Sequence, residues 1–150
     1  MIELTAGDLL EADVDALVNA VNTEGVMGKG IALKFKKRFP DMFEAYRLAC
    51  KAGQLQPGRM HVFERKDMFP PRFIINFPTK RDWWSPSRLE DIESGLAALV
   101  KEVRQRNIRS IAVPALGCGN GGLDWQSVLP CIKGALEPLA NVRVLVFSPE

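Results

Sequence analysis

The apolar run Ala16-Leu17-Val18-Asn19-Ala20-Val21-Asn22 leads directly into a loop that contains Gly25, Gly28 and Gly30. A continuous apolar run of this length is typical of a strand that is covered on both faces of a sheet. The run also carries two carboxamide side chains, Asn19 and Asn22, towards the glycine-rich loop. It therefore predicts a buried strand that delivers polar groups to a place where backbone amides can approach a ligand.

A second glycine-rich cluster, Gly117-Cys118-Gly119-Asn120-Gly121-Gly122, follows the apolar run 111–114. Backbone N–H groups that converge without bulky Cβ atoms can neutralise a pyrophosphate, especially with a helix N-terminus behind each loop. We therefore expect the two loops to face each other across one site. The alternative for either loop taken alone is a tight turn.

Two common nucleotide-binding motifs do not fit the chain. The spacing within 117–122 matches the G-x-G-x-x-G fingerprint, but the acidic residue required about 20 positions later is replaced by Asn141-Val142-Arg143. No G-x-x-x-x-G-K-[ST] segment is present either. The sequence therefore argues against a dehydrogenase and against a P-loop enzyme.

The hydrophobic pattern predicts elements in the order β-β-α-α-β-β-α-β-α-β. Strands are predicted at 2–5, 14–21, 60–63, 73–77, 111–114 and 142–147, and helices at 31–39, 42–49, 89–103 and 128–139. Such interleaving is typical of an α/β fold, with helices on both faces of a mixed, mostly parallel sheet. In these sheets ligands bind beyond the carboxyl ends of the strands.

Local signals predict where the helices begin and end. Pro40 ends the first helix and Asp41 starts the second. The segment Ser87-Arg88-Leu89-Glu90 has the spacing of a capping box at the start of the third helix. We expect Asp124 to cap the last helix and Pro130 to lie in its first turn, where a missing N–H costs nothing.

Length and composition are those of one soluble domain over residues 1–150, since the chain is 47% hydrophobic and 25% charged. It has no apolar run of about 20 residues and no signal-peptide pattern, so we expect a cytoplasmic protein with no membrane partner. Three cysteines without C-x-x-C spacing predict reduced thiols. His61 is predicted to be structural, and no spacing indicates a metal or cofactor site.

The net charge of +2 does not by itself indicate a nucleic-acid partner. Two basic clusters stand out, one at 34–38 and one formed by Lys80, Arg81 and Arg88. Each cluster is consistent with a solvated face or with a surface that follows phosphates. Charge alone leaves both interpretations open.

Four motifs in the same order resemble the macrodomain family, the ADP-ribose-binding module. They are Gly7-Asp8-Leu9-Leu10, 16–22, Met27-Gly28-Lys29-Gly30-Ile31-Ala32 and 114–125. The segment Asn76-Phe77-Pro78-Thr79-Lys80 is similar to the branch of terminal ADP-ribose glycohydrolases, in which a lysine after that strand is catalytic. The resemblance implies a three-layer α/β/α macrodomain with a mixed, mostly parallel sheet of about six strands.

The combination of Lys80 with 117–125 is most similar to the macrodomains of bacterial antitoxins that remove ADP-ribose from single-stranded DNA. The resemblance therefore implies a cofactor-free glycohydrolase of ADP-ribosylated DNA, with roles in a toxin–antitoxin system and in DNA repair. It also implies a cognate ADP-ribosyltransferase toxin as partner, and it leaves open whether a C-terminal region follows this domain; we expect a monomer. The alternatives are a non-catalytic ADP-ribose reader and a hydrolase of protein-linked esters or of O-acetyl-ADP-ribose.

The resemblance also assigns the binding residues. The carboxylate of Asp8 would accept a hydrogen bond from the adenine amine, although a turn or helix cap is its alternative role. Phe147 would pack on adenine or belong to the core. Asn22 would hold the distal ribose, while Asn19 makes the structural Asx turn. The full ADP-ribose-binding set is Asp8, Leu9, Asn22, Gly28, Lys29, Gly30, Ile31, Thr79, Gly117, Cys118, Gly119, Asn120, Gly121 and Phe147.

Lys80 is the candidate catalytic residue implied by the resemblance. As a neutral amine it would attack the anomeric carbon, and desolvation or the neighbouring Arg81 would favour loss of its proton. A protonated Lys80 would instead stabilise the leaving group or hold a DNA phosphate, and a plain surface lysine is the remaining alternative. The family's aspartate that helps to process the lysine adduct is replaced here by Gly121, so Asn22 is a second catalytic candidate.

Trp83 and Trp84 follow Lys80 on a loop that also contains Asp82, Ser85 and Pro86. Adjacent tryptophans in a loop cannot both point into one core. We expect one to pack and the other to stack on a base or cover the distal ribose. With Arg81 they form the candidate nucleic-acid contact.

Overall fold

The computed structural model describes residues 1–149. Within them the strands and α-helices follow the predicted order. The strands are β1 (Ile2–Thr5), β2 (Ala16–Val21), β3 (His61–Glu64), β4 (Phe73–Pro78), β5 (Ser110–Val113) and β6 (Arg143–Phe147). The helices are α1 (Gly30–Arg38), α2 (Pro40–Lys51), α3 (Leu89–Gln105) and α4 (Trp125–Leu136). Short 3₁₀ helices occupy Leu9–Glu11 and Gly119–Gly121.

The strands form one mixed sheet in the order β1-β6-β5-β2-β4-β3. All neighbouring pairs are parallel except β3–β4, which is antiparallel. The parallel strands β1, β6, β5, β2 and β4 therefore end at the same edge of the sheet. The expectation of a mixed, mostly parallel sheet is confirmed.

Both faces of the sheet are covered, as predicted from the continuous apolar character of β2. Ala16 and Val18 pack into the core formed with α3 and α4, whereas Leu17 and Val21 pack into the core formed with α1 and α2. Alternate residues of one strand thus serve two cores because strand side chains alternate between faces. The arrangement is the three-layer α/β/α architecture.

Two predicted helix starts are wrong. The second helix begins at Pro40, whose fixed φ suits the first helical position, so Asp41 lies inside the first turn rather than before it. The third helix begins at Leu89 after Arg88, which makes no side-chain cap. The capping box fails because Ser87 is held elsewhere: its backbone N–H donates to Gly121 O at 2.9 Å.

The predicted position of Pro130 is also wrong. Asp124 caps the last helix as expected, since its Oδ1 accepts from Gln126 N at 3.1 Å. The helix therefore starts at Trp125, and Pro130 lies in its interior, where it removes a backbone hydrogen bond. Leu139, predicted as part of the helical stripe, lies beyond the helix end but is buried in the same core.

Among residues 1–149, no helix combines the length and the apolar character needed to cross a membrane. All three cysteines are free thiols.

Candidate functional site

A cavity of about 730 Å³ lies at the carboxyl edge of the parallel strands. Its lining includes the residues that end or follow five adjacent strands: Gly7 after β1, Phe147 of β6, Pro114 after β5, Asn22 after β2 and Thr79 after β4. At about 4.8 Å per strand, five strands span roughly 19 Å. The cavity is thus an elongated trough that runs along the sheet edge, suited to an extended ligand.

The two glycine-rich loops meet across this trough, as predicted. Residues 28–31 and 117–121 both line it. A Cβ placed on Gly30 would lie 3.3 Å from Asn120 Nδ2, which shows how closely the loops approach. Gly30 has a φ of +56° and is also the first residue of α1, so the unpaired N–H groups of that helix begin at the cavity.

The cavity is electropositive. Lys29, Lys34 and Lys80 line it, and no aspartate or glutamate is among the described residues that do so. Cations together with exposed backbone N–H groups favour an anionic ligand such as a pyrophosphate. The sequence placed Lys34 in a basic cluster but not in the ADP-ribose-binding set, although its position four residues after Gly30 places it on the same face of α1.

Most of the predicted site residues lie together in this cavity, and three do not. Those that line it are Asn22, Gly28, Lys29, Gly30, Ile31, Thr79, Lys80, Trp83, Trp84, Gly117, Cys118, Gly119, Asn120, Gly121 and Phe147. Asp8, Leu9 and Arg81 are not among the lining residues. Further lining residues that the sequence did not single out include Val26, Ala115, Ser148 and Pro149.

Asp8 and Leu9 lie next to the cavity end at Gly7. Asp8 is exposed, and its Oδ1 accepts from Leu10 N at 3.1 Å, which caps the 3₁₀ helix. Asp8 therefore has the structural role of a cap, which occupies only part of the hydrogen-bonding capacity of its carboxylate, and adenine recognition remains a prediction. Leu9 is buried in the core on the α1–α2 side of the sheet.

Asn22 is held by three neighbours. Its Oδ1 accepts from Glu24 N at 2.9 Å, and its Nδ2 donates to Val26 O at 2.9 Å. The hydroxyl of Tyr46 lies 2.8 Å from Asn22 O and 2.9 Å from Asn22 Oδ1, so its one proton is shared between these two acceptors. Burial raises the pKa of Tyr46, so its hydroxyl stays protonated and donates at neutral pH. These bonds leave one amide hydrogen of Asn22 for a ligand.

The structural Asx turn is thus made by Asn22, and its assignment to Asn19 is wrong. Asn19 is fully buried beneath the cavity, where its Nδ2 donates to Asn76 Oδ1 at 3.1 Å. Asn76 in turn lies 3.0 Å, through its Nδ2, from His61 Nδ1. Burial lowers the pKa of His61, so the neutral ring accepts this bond. His61 is therefore structural, as predicted.

Lys80 lies at the β4 end of the trough, directly after the buried Thr79. It is half-buried, and its Nζ lies 3.5 Å from Trp83 O, a long hydrogen bond that a ligand can replace. The cation next to it in sequence points away: Arg81 Nε lies 3.5 Å from Asp91 Oδ2. The guanidinium of Arg81, which was expected to favour proton loss from Lys80, is therefore paired with the carboxylate of Asp91.

The position of the family aspartate, Gly121, has no room for a side chain. A Cβ there would lie 2.4 Å from Ser87 Oγ and 3.0 Å from Ser87 Cβ. Because Ser87 N also donates to Gly121 O, the two backbones cannot separate easily. The close packing of the second glycine loop against the start of α3 thus excludes a carboxylate side chain at position 121.

Cys118 lies in the second glycine loop and lines the cavity. Burial and the negative charge of Asp124 raise the pKa of its thiol. Since the thiolate is the reactive form, this cysteine is not poised as a nucleophile. Lys80 is the better candidate for chemistry at this site.

Comparison with known proteins agrees with this geometry. The Macro domain family matches residues 18–132, which is most of the chain. The chain belongs to the Macro domain family. This macrodomain is 53% identical over 149 residues to a protein of Thermus aquaticus named DNA ADP-ribosyl glycohydrolase. That match covers 99% of this chain and 41% of the relative.

Solved structures show the same fold. The macrodomain of Mycobacterium tuberculosis DarG superposes with a TM-score of 0.99 at 50% identity, covering 100% of this chain and 99% of that one. Thermosipho africanus DarTG in complex with ADP-ribose matches with a TM-score of 0.93 at 37% identity, over 99% of this chain and 41% of that one.

A fusion protein of Thermosipho africanus named DNA ADP-ribosyl transferase-DNA ADP-ribosyl glycohydrolase is 36% identical over 99% of this chain and 42% of its own length. This macrodomain therefore spans about two fifths of the length of the curated relatives it matches.

Proposed function

We propose that this macrodomain is a DNA ADP-ribosyl glycohydrolase, which releases ADP-ribose from ADP-ribosylated single-stranded DNA. The observation that carries the proposal is the position of Lys80 at one end of the electropositive trough. The similarity to relatives named for this activity supports it. Because those relatives are more than twice as long, the activity of the domain by itself is part of the proposal.

The trough suggests how ADP-ribose would lie. Its pyrophosphate would bind between the two glycine-rich loops, where backbone N–H groups and lysines converge. Adenine would then occupy the end formed by Gly7 and Phe147, next to Asp8 and Leu9. The distal ribose would occupy the opposite end, near Asn22 and Lys80. The similarity to Thermosipho africanus DarTG, which was solved in complex with ADP-ribose, supports this choice of ligand.

Lys80 would act on the bond between the distal ribose and the DNA. A protonated Nζ would donate to the departing group while water adds to the anomeric carbon, and the products would be ADP-ribose and the repaired DNA. This version needs no partner at position 121. In the covalent version, neutral Nζ would attack the anomeric carbon and displace the DNA group, which takes up the proton that the lysine loses, and water would later hydrolyse the new C–N bond. The pairing of Arg81 with Asp91 and the closed space at Gly121 favour the first version.

Trapping distinguishes the two versions. Borohydride reduces the imine form of a lysine–ribose adduct to a stable amine, so mass spectrometry of the reduced protein would detect a covalent ADP-ribose on Lys80. We expect no adduct. An adduct that is present in the unmodified protein and absent from Lys80→Ala would establish the covalent version instead.

The same proposal includes the cellular role of the domain. The domain would act as an antitoxin that reverses DNA modification by a cognate ADP-ribosyltransferase, and in that sense as a DNA-repair enzyme. The Thermosipho africanus fusion protein, whose name joins transferase and glycohydrolase, supports such a partner. We further propose that the domain acts in the cytoplasm and as a monomer, without a cofactor.

Product release tests the proposed function. The domain is incubated separately with an ADP-ribosylated single-stranded oligonucleotide, a protein carrying ADP-ribose on glutamate, and O-acetyl-ADP-ribose, and free ADP-ribose is measured. We expect release from the oligonucleotide at the highest kcat/KM. Release only from the ester substrates would contradict the DNA assignment, and tight ADP-ribose binding without any release would identify a reader.

A further inference from the structure

Two tryptophans are exposed side by side at the rim of the cavity. Trp83 is 53% exposed and Trp84 is 69% exposed, and both line the end of the trough that contains Lys80. The prediction that one of them packs in the core is therefore wrong. Two adjacent exposed indoles form an apolar patch, and such patches on soluble proteins commonly mark binding surfaces.

The loop that carries these tryptophans is tied to its surroundings at several points. The hydroxyl of Thr23 donates to Arg81 O, and Trp83 N donates to Glu24 Oε2 at 3.4 Å. Within the loop, Asp82 Oδ1 accepts from Ser85 N at 2.9 Å. The bonds from Thr23 and Glu24 connect the tryptophan loop to the loop after β2. The indoles are thus presented by a constrained backbone.

The position of Trp83 and Trp84 determines which part of a bound substrate they would contact. In the proposed binding mode, with the pyrophosphate between the glycine loops, the distal ribose would point towards Lys80 and away from Gly7. Any group bonded to that ribose must leave the trough at the β4 end, where Trp83 and Trp84 lie. The tryptophans are therefore next to the part of the substrate that is not ADP-ribose.

The chemistry of this rim favours single-stranded nucleic acid over a protein surface. Indole faces stack on nucleobases of any sequence, and this stacking requires bases that are not already paired in a duplex. Lys80, which lines the same end of the cavity and lies 3.5 Å from Trp83 O through its Nζ, adds a positive charge that complements phosphates. The basic cluster on α1 is less suited to this role, since Lys36 lies over the Phe43 ring and Arg38 is paired with Glu11.

We propose that Trp83 and Trp84 form a stacking platform for the nucleobases that flank the modified nucleotide, so that the site selects single-stranded nucleic acid. This inference rests on the proposed function and adds a second recognition element to it. The platform would act on substrate binding, with Lys80 acting on the bond that is cleaved. A substrate without flanking nucleotides would not use it.

The test compares two substrates with the same scissile bond: an ADP-ribosylated oligonucleotide of about six nucleotides and the matching ADP-ribosylated mononucleoside. kcat/KM is measured for the unmodified domain and for Trp83→Ala, Trp84→Ala and the double variant. Because one base–aromatic stack is worth about a tenfold change in affinity, we expect the oligonucleotide-to-mononucleoside ratio to fall about tenfold in the more affected single variant, mainly through KM. Phe69→Ala is the matched control, since Phe69 is 74% exposed but is not a cavity residue.

The outcomes separate this inference from the proposed function. Equal kcat/KM for both substrates in the unmodified domain would overturn the platform and leave the glycohydrolase intact. Ratios unchanged in the double variant would also overturn it. The double variant is also tested on an ADP-ribosylated peptide. If its kcat/KM falls as much on the peptide as on the oligonucleotide, the tryptophans make a general apolar contact and do not stack on bases. Failure to hydrolyse either nucleic-acid substrate would overturn both.

Discussion

At the scale of single residues, the contact between Gly121 and Ser87 decides which side chains the site can contain. Ser87 is 7% exposed, and within residues 1–149 its Oγ has no hydrogen-bond partner. A buried hydroxyl without a partner costs free energy, so its presence here points to a packing role against the glycine loop. The pair therefore leaves no room for a carboxylate side chain at position 121.

Gly121→Ala should therefore destabilise the domain by about 1–3 kcal/mol, because its Cβ would overlap Ser87. Ser87→Gly removes the overlapping atoms, so Gly121→Ala should cost less in that background. A double-mutant cycle from urea unfolding measures this coupling, which we expect to lie in the range usual for residues in contact, about 0.5–3 kcal/mol. Strictly additive effects would contradict the steric account.

His61 should make stability depend on pH. Burial lowers its pKa below the ordinary value of 6.5, so the unfolded chain binds a proton that the folded domain resists. The free energy of unfolding should therefore fall as the pH is lowered through about 6.5, and this contribution should level off below the folded-state pKa. His61→Gln keeps a polar side chain that does not titrate. Between about pH 7.5 and about pH 5.5, the free energy of unfolding should therefore fall less in this variant than in the unmodified domain. Identical pH profiles would contradict this role.

At the scale of secondary-structure elements, the packing of α3 on β4 positions the strand that ends at Lys80. Gly95 in the middle of α3 lies against Phe77 of β4, and a Cβ on Gly95 would lie 2.3 Å from Phe77 Cζ. Glycine is unfavourable within a helix, so this close approach is the reason for its presence. Phe77 is followed within three residues by Thr79 and Lys80, which line the cavity.

Gly95→Ala should lower the free energy of unfolding by about 1–3 kcal/mol despite the higher helix propensity of alanine, because overlap with Phe77 outweighs it. The matched control is Gly134→Ala in α4, where a Cβ would meet nothing within 4 Å. That variant should gain up to about 1 kcal/mol from helix propensity. Chemical denaturation measures both, and a stabilised Gly95→Ala would contradict the packing argument.

The order of the elements could be predicted because apolar spacing reports which residues face a core. The start of α3 and the position of Pro130 within α4 could not be predicted as well, for two different reasons. The local pattern assigns Ser87 to a cap, but a long-range hydrogen bond to Gly121 holds it, and no local pattern reveals such a bond. A cap at Asp124 and a Pro130 in the first turn are mutually inconsistent expectations, and the cap is the stronger signal.

At the scale of the whole molecule, the sheet order assembles the site. The two glycine loops are nearly a hundred residues apart in sequence, and they meet because β5 and β2 are neighbours in the sheet. The sequence shows that two strands end in glycine loops. It does not show how each side chain is used, because tertiary contacts determine the hydrogen bonds of Asn22, the pairing of Arg81 with Asp91 and the exposure of both tryptophans.

The same organisation separates binding from chemistry. Backbone amides along the middle of the trough would hold the pyrophosphate, whereas Lys80 contributes from its β4 end. Removing the lysine side chain should therefore leave ligand binding largely intact. Binding and chemistry at this site thus depend on different elements of the fold.

The most direct test is single-turnover release of ADP-ribose from ADP-ribosylated single-stranded DNA by Lys80→Ala, with calorimetric ADP-ribose binding measured on the same protein. Lys66→Ala, a change on the β3–β4 connection outside the cavity, is the control. We predict a release rate lower by at least about 100-fold in Lys80→Ala, with ADP-ribose affinity nearly unchanged. Release by Lys80→Ala at the rate of the unmodified domain would contradict the separation of binding from chemistry.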